Sequence, residues 1–294
     1  MMERPAISGT AALPQELPQV DYVRRWAEIV ERRRVQMDAA YAEAGLEHVD
    51  YWGRRAVAFR NATHARTEED PFLVRVREAV TPASTLLDVG AGTGRHTLAL
   101  AQHVRHITAV DPSAAMLGLL REDLAARKIE NVATVQAEWM SAEVEPADYV
   151  ICSHVLYPIA DVVPFVRKLE TSASERVFVY LRADPLATDF GLWSAFHGVP
   201  LQPQPAHVDL FNVLAQIGIF ADVEIVGMPF TWTFETREEA VQQVANSLCL
   251  RDDDNDARAR LAALLEERLV QLPNGRLGST AVATRSAIFS WRPR

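Results

Sequence analysis

Short apolar runs that end in acidic or polar residues recur through the middle of the chain. They are residues 85–89, 106–111, 132–136, 147–152 and 176–182. Runs of this length, separated by stretches with helical spacing of apolar positions, are typical of buried strands that alternate with helices. The pattern predicts an α/β fold with a parallel sheet, in which the polar residues after each strand meet in one crevice at the carboxyl edge.

The flanking regions carry mainly helical patterns. Helices are predicted over residues 21–44, 49–60 and 68–80 before the strands, and over 206–217, 236–248 and 257–272 after them. Thr67 is a candidate N-cap of the third helix, and Pro82 is expected to stop it. Further strands are predicted over 221–226 and 279–291.

The most specific motif follows the first strand. Three glycines, Gly90, Gly92 and Gly94, stand at alternate positions after Asp88, and a helical pattern starts at once. This order predicts a tight turn between a buried strand and a helix, where glycine allows a sharp bend or the close approach of a ligand. A dinucleotide fingerprint would have its third glycine at Arg95, and Asp88 would repel a pyrophosphate but attract an ammonium or sulfonium group.

Residues 88–94 carry the complete motif D-x-G-x-G-x-G, and the strand over 106–111 ends in an acid, Asp111, at about the spacing at which an acid meets a ribose in such folds. As a set, residues 84–184 resemble the class I, Rossmann-like S-adenosylmethionine-dependent methyltransferases of the small-molecule type. The resemblance implies a three-layer sandwich around a mostly parallel seven-stranded sheet with an antiparallel last strand. It also implies three regions: a tail and cap helices (1–80), a cofactor-binding core (81–184) and accessory lid helices with the strands that complete the sheet (185–294).

The resemblance implies S-adenosyl-L-methionine as cofactor and S-adenosyl-L-homocysteine as product. The turn amides are expected to bind the carboxylate, Asp88 the amino group directly or through water, and Asp111 both ribose hydroxyls. Glu138 is expected to accept from the adenine amino group, between Met116 and Trp139. Whether the ring or only the backbone amide of Trp139 meets the adenine stays open. The full set of expected cofactor contacts is Asp88, Gly90, Ala91, Gly92, Thr93, Gly94, Asp111, Pro112, Met116, Ala137, Glu138, Trp139 and Ser153.

Two residues after the fourth strand are candidates for catalysis. Methyl transfer is a displacement at carbon with an activated leaving group, so positioning and desolvation supply most of the acceleration. A general base is needed only if the acceptor is a hydroxyl or a protonated amine. His154 is the first candidate because it follows the strand where the methyl group would point, and Tyr157 is the second. The position of His154 is about equally compatible with a structural role as with a catalytic one.

A stretch before the sheet resembles the W-x-x-R-A-x-x-F/Y segment of many small-molecule methyltransferases. It begins at Trp52 and ends at Phe59, and in that family it lies over the cofactor pocket. Its aromatic residues fit core packing as well, whereas Arg55 and Arg60 have the forked donors that bind carboxylates.

Composition and charge narrow the class of partner. The chain has 294 residues, a net charge of −9 and 2 cysteines, Cys152 and Cys249. The negative charge gives no basic field that would attract nucleic acid. Residues 153–157 also lack the D/N/S-P-P-Y/F motif of enzymes that methylate DNA amino groups. The chain has no Cys-x-x-Cys pair that would suggest a metal site. Residues 1–20 hold no uninterrupted apolar stretch, so neither a signal peptide nor a membrane span is expected, and the cytoplasm is the expected location. A small-molecule acceptor is the remaining expectation.

Two other functions are compatible with parts of the pattern. A cofactor-binding sensor or accessory protein without transferase activity would keep the glycine turn and Asp111, and would differ in the surface beside His154 and Tyr157. A nicotinamide-dependent oxidoreductase is disfavoured by Arg95 and Asp88.

Overall fold

The computed structural model describes residues 19–45, 56, 60, 70–184, 190–230, 232–279 and 282–294, and the side chains of all of these except 228–230, 282 and 283. The helix predicted over 49–60 and the segment from Trp52 to Phe59 thus lie outside the described residues, apart from positions 56 and 60. So does Thr67, the predicted N-cap. The N-cap of the described helix is Asp70, whose carboxylate accepts from the amide of Phe72, and Pro71 takes the first helical position.

The main sheet has seven strands, which are β1 (Thr85–Val89), β2 (His106–Asp111), β3 (Val132–Gln136), β4 (Ala147–Ser153), β5 (Ala173–Arg182), β6 (Asp222–Phe230) and β10 (Val282–Trp291). They lie in the order β3-β2-β1-β4-β5-β10-β6, and in this sheet only β10 is antiparallel to its neighbours. The predicted fold class is therefore confirmed.

Helices cover both faces of this sheet. The described helices, which include three of a smaller unit, are α1 (Tyr22–Glu43), α2 (Pro71–Ala79), α3 (Arg95–Leu100), α4 (Ala114–Arg127), α5 (Val162–Thr171), α6 (Trp193–His197), α7 (His207–Gln216), α8 (Arg237–Ser247) and α9 (Asn255–Glu266). One buried cluster joins the sheet to α1, α5 and α7, and a second joins its other face to α2 and α3. Burial on both faces explains why the strands read as continuous apolar runs.

Strand register brings the ends of the parallel strands to one edge. Val89 of β1 pairs with Val110 of β2 on one side and with Cys152 of β4 on the other. The residues that directly follow, from Gly90, Asp111 and Ser153 onward, therefore lie along the same carboxyl edge.

The chain between β6 and β10 forms a second small unit. Its strands β7 (Thr233–Phe234), β8 (Leu269–Gln271) and β9 (Leu277–Ser279) make a three-stranded sheet in the order β7-β9-β8. This sheet packs with α6, α8 and α9 around a separate core, which also includes Ala40 near the end of α1. Helix α1 thus packs on the main sheet through Trp26 and on the small unit through Ala40.

Two predicted boundaries in this region were wrong. Helix α9 ends at Glu266 rather than at residue 272, because Leu269–Gln271 turns into β8. The last strand of the main sheet begins at Val282 rather than at 279, because Leu277–Ser279 pairs within the small sheet instead. Among the described helices, none is both long and apolar enough to span a membrane.

Candidate functional site

The turn after β1 has a backbone that favours glycine at three positions. Gly90, Gly92 and Gly94 have φ angles of +74°, +57° and +85°, in the region that side chains rarely adopt. A Cβ atom on Gly90 would overlap the methyl groups of Val155, and one on Gly94 would overlap the side chain of Leu120. The turn is thus held closely between the loop after β4 and helix α4.

Four amides of this turn already donate hydrogen bonds, three of them to the end of β2. The amides of Gly90 and Ala91 donate to the carbonyl of Val110 at 2.8 and 3.0 Å, and that of Gly94 donates to Ala91 at 2.9 Å. The amide of Gly92 donates to the carboxylate of Asp111 at 2.9 Å. The sequence did not indicate these hydrogen bonds of the turn amides. The expected contact between the turn amides and a carboxylate stays a prediction, and for these four it requires a shared or exchanged hydrogen bond.

Asp111 connects the end of β2 to the glycine turn. Its Oδ2 accepts from Gly92, and its Oδ1 accepts from the amide of Ser113 at 2.9 Å. Each carboxylate oxygen has a second lone pair, so Asp111 can still accept from hydroxyl groups of a ligand. The next residue, Pro112, is exposed.

Asp88 lies beneath the turn rather than at its mouth. Its carboxylate is buried and accepts from the hydroxyl of Thr97 at 2.6 Å. Burial raises the pKa of Asp88 and the charge of Asp111 adds to this, against the opposing effects of His96 and Thr97. This position does not favour direct contact between Asp88 and an ammonium group, so the water-mediated alternative is the one that remains.

The residues expected at the adenine end are only partly brought together. The amide of Ala137 donates to the carbonyl of Asp111 at 3.3 Å, Glu138 is exposed, and Met116 is buried in the first turn of α4. The ring of Trp139 packs against α5, where its indole N–H donates to the carbonyl of Phe165 at 3.3 Å.

The Nζ of Lys168 also lies 4.7 Å from the centre of the Trp139 ring. The Trp139 ring is thus buried in the core, and the expected contact of Met116 and Trp139 with adenine stays a prediction. The backbone of Trp139 remains the alternative contact.

His154 lies at the carboxyl edge, directly after Ser153 at the end of β4. It has a left-handed backbone with φ of +59°, its amide donates to the carbonyl of Tyr180 at 2.8 Å, and its side chain is partly exposed. A non-glycine residue in this conformation is uncommon and marks functional sites more often than average. The neighbouring residue, Val155, contacts the glycine turn, which brings His154 close to the expected cofactor site.

The imidazole of His154 shares a hydrogen bond with Tyr157. Its Nδ1 lies 2.8 Å from the Tyr157 hydroxyl oxygen, which also accepts from the amide of Arg182 at 3.0 Å. Burial raises the pKa of Tyr157 to about 12, so its hydroxyl keeps its proton at neutral pH. The two candidate catalytic residues are thus in direct contact, and the end of β5 positions Tyr157.

A buried carboxylate lies near enough to His154 to act on its charge. The carboxylate of Asp70 is fully buried and binds the guanidinium of Arg95 at 2.5 Å and Nε2 of His96 at 3.3 Å. The ring of Tyr180 stacks on Phe72 with centroids 4.8 Å apart, and the ring of His154 lies 4.8 Å from Tyr180 on a tilted plane. We refer to Asp70, Arg95, His154, Tyr157, Tyr180 and Arg182 as the acceptor-side cluster.

The charges of this cluster act on His154. Burial lowers the pKa of His154 well below its usual value, and the positive charges of Arg182 and Arg95 add to this more than Asp70 opposes it. His154 is therefore neutral at physiological pH, as a proton acceptor must be.

Sequence reasoning missed Asp70 and Arg182. Arg182 ends the fifth strand, and the rule that selected Asp111 and Ser153 from their strand ends would have selected it too. The sequence Asp70-Pro71 is a helix-start signal that could have identified the N-cap, although nothing in it indicates the contact with Arg95.

Comparison with known proteins agrees with this geometry. Residues 86–172 match the family described as the methyltransferase domain. No curated protein matches the chain.

Two solved structures share the fold at low identity. The YcgJ protein of Bacillus subtilis has a TM-score of 0.50 and 13% identity, over 76% of this chain and 98% of that one. A protein of Bacillus halodurans described as a candidate methyltransferase has a TM-score of 0.51 and 14% identity, over 74% of this chain and 95% of that one. Residues 86–172 thus match a methyltransferase domain, within a chain whose fold these two structures share.

Proposed function

We propose that the protein transfers a methyl group from S-adenosylmethionine to a small molecule bound beside His154. The observation that carries the proposal is the contact between Val155 and Gly90. It joins the loop that bears His154 to the glycine turn, so that a cofactor on the turn and an acceptor at the imidazole would be neighbours.

The residues at the carboxyl edge fit the cofactor. Gly92 is partly exposed in a turn that tolerates close approach, and Asp111 has lone pairs for the ribose hydroxyls. Met116 is buried in the first turn of α4 but outside the four apolar clusters of the described residues, a position that suits one wall of an adenine pocket. Glu138 and the backbone of residues 137–139 would complete this end, with Ser153 nearer the sulfur. When bound, the cofactor supplies a methyl group that is already activated for displacement.

His154 has the properties of a general base in this site. It is neutral at physiological pH, partly exposed and held by Tyr157 through Nδ1. When Nδ1–H donates to the Tyr157 oxygen, the lone pair of Nε2 can take a proton from a hydroxyl or an ammonium acceptor. Tyr157 acts as a positioning residue, because its hydroxyl holds the imidazole ring through Nδ1.

The choice of a small molecule rests on charge and on the surroundings of the imidazole. With a net charge of −9, the chain has no excess of positive charge to attract a nucleic acid backbone. The groups around His154 are buried or half-buried side chains rather than an open surface, and small-molecule sites are commonly concave.

Calorimetric titration with S-adenosylhomocysteine and with S-adenosylmethionine tests the proposal. We expect both ligands to bind. We also expect the protein to form S-adenosylhomocysteine from S-adenosylmethionine when it is offered a panel of small acceptors. Absence of heat with either ligand on folded protein would contradict the proposal. Binding without turnover of any acceptor would favour a sensor or accessory protein instead.

A further inference from the structure

We propose that the methyl acceptor is a small carboxylate and that Arg182, with Arg95, binds its carboxylate group beside His154. This inference rests on the proposed function and specifies its substrate class.

Arg182 is placed at the reacting side by its backbone. It is the last residue of β5, and its amide donates to the same Tyr157 oxygen that lies 2.8 Å from Nδ1 of His154. Strand alternation puts its side chain on the same face of the sheet as that of Tyr180, whose ring lies 4.8 Å from the imidazole. Arg182 is partly exposed, so a ligand can reach it.

Arg95 supplies a second guanidinium that is only partly satisfied. One of its terminal nitrogens binds Asp70, but its Nε–H is buried and has no hydrogen-bond partner among the residues that the structure describes. The Asp70 carboxylate already accepts hydrogen bonds from Arg95 and from the amide of Phe72, and it also interacts with His96. A buried N–H donor without an acceptor is destabilising, and an incoming carboxylate oxygen would offset that cost.

The charges in the cluster favour a carboxylate over a phosphate. At the imidazole of His154, the positive charges of Arg182 and Arg95 outweigh the negative charge of Asp70, and a bound anion would be stabilised there. Asp70 stays ionised in the same cluster, however, and its charge would repel a phosphate dianion more strongly than a monoanion. A guanidinium also matches a carboxylate with two parallel hydrogen bonds.

This arrangement would couple substrate recognition to the base. An anion near the imidazole raises the pKa of His154 by offsetting the field of the two arginines. An acceptor that carries a carboxylate would therefore strengthen the base that receives its proton, whereas an uncharged analogue would leave His154 a weak base.

The test follows the histidine by NMR in protein saturated with S-adenosylhomocysteine. Acetate and benzoate are titrated as probes, with methyl acetate and methyl benzoate as uncharged counterparts and inorganic phosphate as the competing anion. The resonance of His154 is assigned by its loss in His154→Gln. We expect the two carboxylates to raise the pKa of His154 and the two esters to leave it unchanged.

Substitutions at two arginines of β5 test whether the response to carboxylate depends on Arg182. Arg182→Gln should raise the half-saturating carboxylate concentration at least tenfold, whereas Arg176→Gln, near the opposite end of β5, should leave it unchanged. Arg182→Lys retains the charge and should respond to carboxylate, with weaker binding, which keeps the test valid if Arg182→Gln does not fold. Equal responses to acids and esters, a stronger response to phosphate, or an undiminished response in Arg182→Gln would overturn the inference.

Failure of the proposed function would look different. If S-adenosylhomocysteine does not bind, the carboxylate titration is repeated without it. A response that depends on Arg182 would then preserve the anion site although the methyltransferase proposal had failed.

Discussion

The side chain of Val155 fills the space in which a Cβ atom of Gly90 would lie. Through this contact, the turn after β1 and the loop after β4 fix each other, although 65 residues separate them along the chain. Because Val155 follows His154, the same contact sets the distance between the proposed cofactor site and the proposed base.

Gly90→Ala should disturb both sites at once. The new methyl group would displace Val155, and φ of +74° is unfavourable for alanine. We expect S-adenosylhomocysteine to bind at least tenfold more weakly by calorimetry. Gly118→Ala is the matched control, since Gly118 lies within α4 with open space around its Cβ position, and alanine favours a helix by about 1 kcal/mol. Equal affinity in the two variants would mean that the turn does not bind the cofactor.

Asp111→Ala should weaken cofactor binding by about 1.5–3 kcal/mol, the range for a hydrogen bond to a charged group. The same substitution removes the acceptor for the amides of Gly92 and Ser113, so the free energy of unfolding should fall as well. Calorimetry and urea denaturation measure the two effects separately. A variant that loses stability but binds S-adenosylhomocysteine normally would limit Asp111 to holding the turn.

The sequence was most informative where the interactions are local or the pattern is long. Alternation of apolar strands with helices predicted the main sheet, and the three glycines predicted the turn whose φ angles are positive. Strands β7, β8 and β9 have only two or three residues each and no usable periodicity, so pairing within the small unit determines them.

Contacts between distant segments were the harder part of the site. Asp70 meets Arg95 and His96 only because α2 packs against α3, and no motif records that packing. The sequence left open whether the ring of Trp139 or only its backbone meets the adenine, and the structure packs the ring against α5 in the core. Both cases depend on tertiary packing rather than on local spacing.

Asp70→Asn should destabilise the protein by about 3 kcal/mol, because it leaves Arg95 without its buried counterion. Asparagine also caps helices well, so the loss should reflect the charge rather than the start of α2. Denaturation at neutral pH measures the difference. Asp253→Asn removes a surface pair with Arg251 and should have little effect, which makes it the control.

The pH dependence of this difference gives a second check. Burial raises the pKa of Asp70, but its hydrogen bond with His96 and the charge of Arg95 together lower it below 3.8. A lowered pKa contributes stability that is present above 3.8 and is lost as the pH falls below it. The gap between wild type and Asp70→Asn should therefore be constant near neutrality and shrink below pH 3.8. A gap that grew on acidification would contradict the assignment.

Tyr157→Phe tests which partner of the His154–Tyr157 hydrogen bond donates. If Nδ1–H donates to the phenol oxygen, the bond is strongest with the imidazolium, and its loss should lower the pKa of His154 further. The turnover number should fall about tenfold, equivalent to about 1.4 kcal/mol for one hydrogen bond. NMR titration gives the direction of the shift. A raised pKa would mean that Tyr157 donates to Nδ1, which leaves a proton on Nε2 and excludes His154 as the resting base.

His154→Ala should lower the maximal rate about 100-fold or more, the usual contribution of a positioned general base. Affinity for S-adenosylhomocysteine should change little, since the contacts of the imidazole are with Tyr157 and Tyr180. The loss should appear in kcat and should remove the ionisation of the imidazole from the pH profile of the reaction.

His154→Gln separates catalysis from shape, because the amide can fill the site and form hydrogen bonds but cannot take up a proton at neutral pH. If His154→Gln is as inactive as His154→Ala and its KM is unchanged, His154 acts as a base. Restored activity in His154→Gln, with a raised KM in His154→Ala, would reduce His154 to a residue that shapes the acceptor site. Unchanged kinetics in both variants would exclude either role.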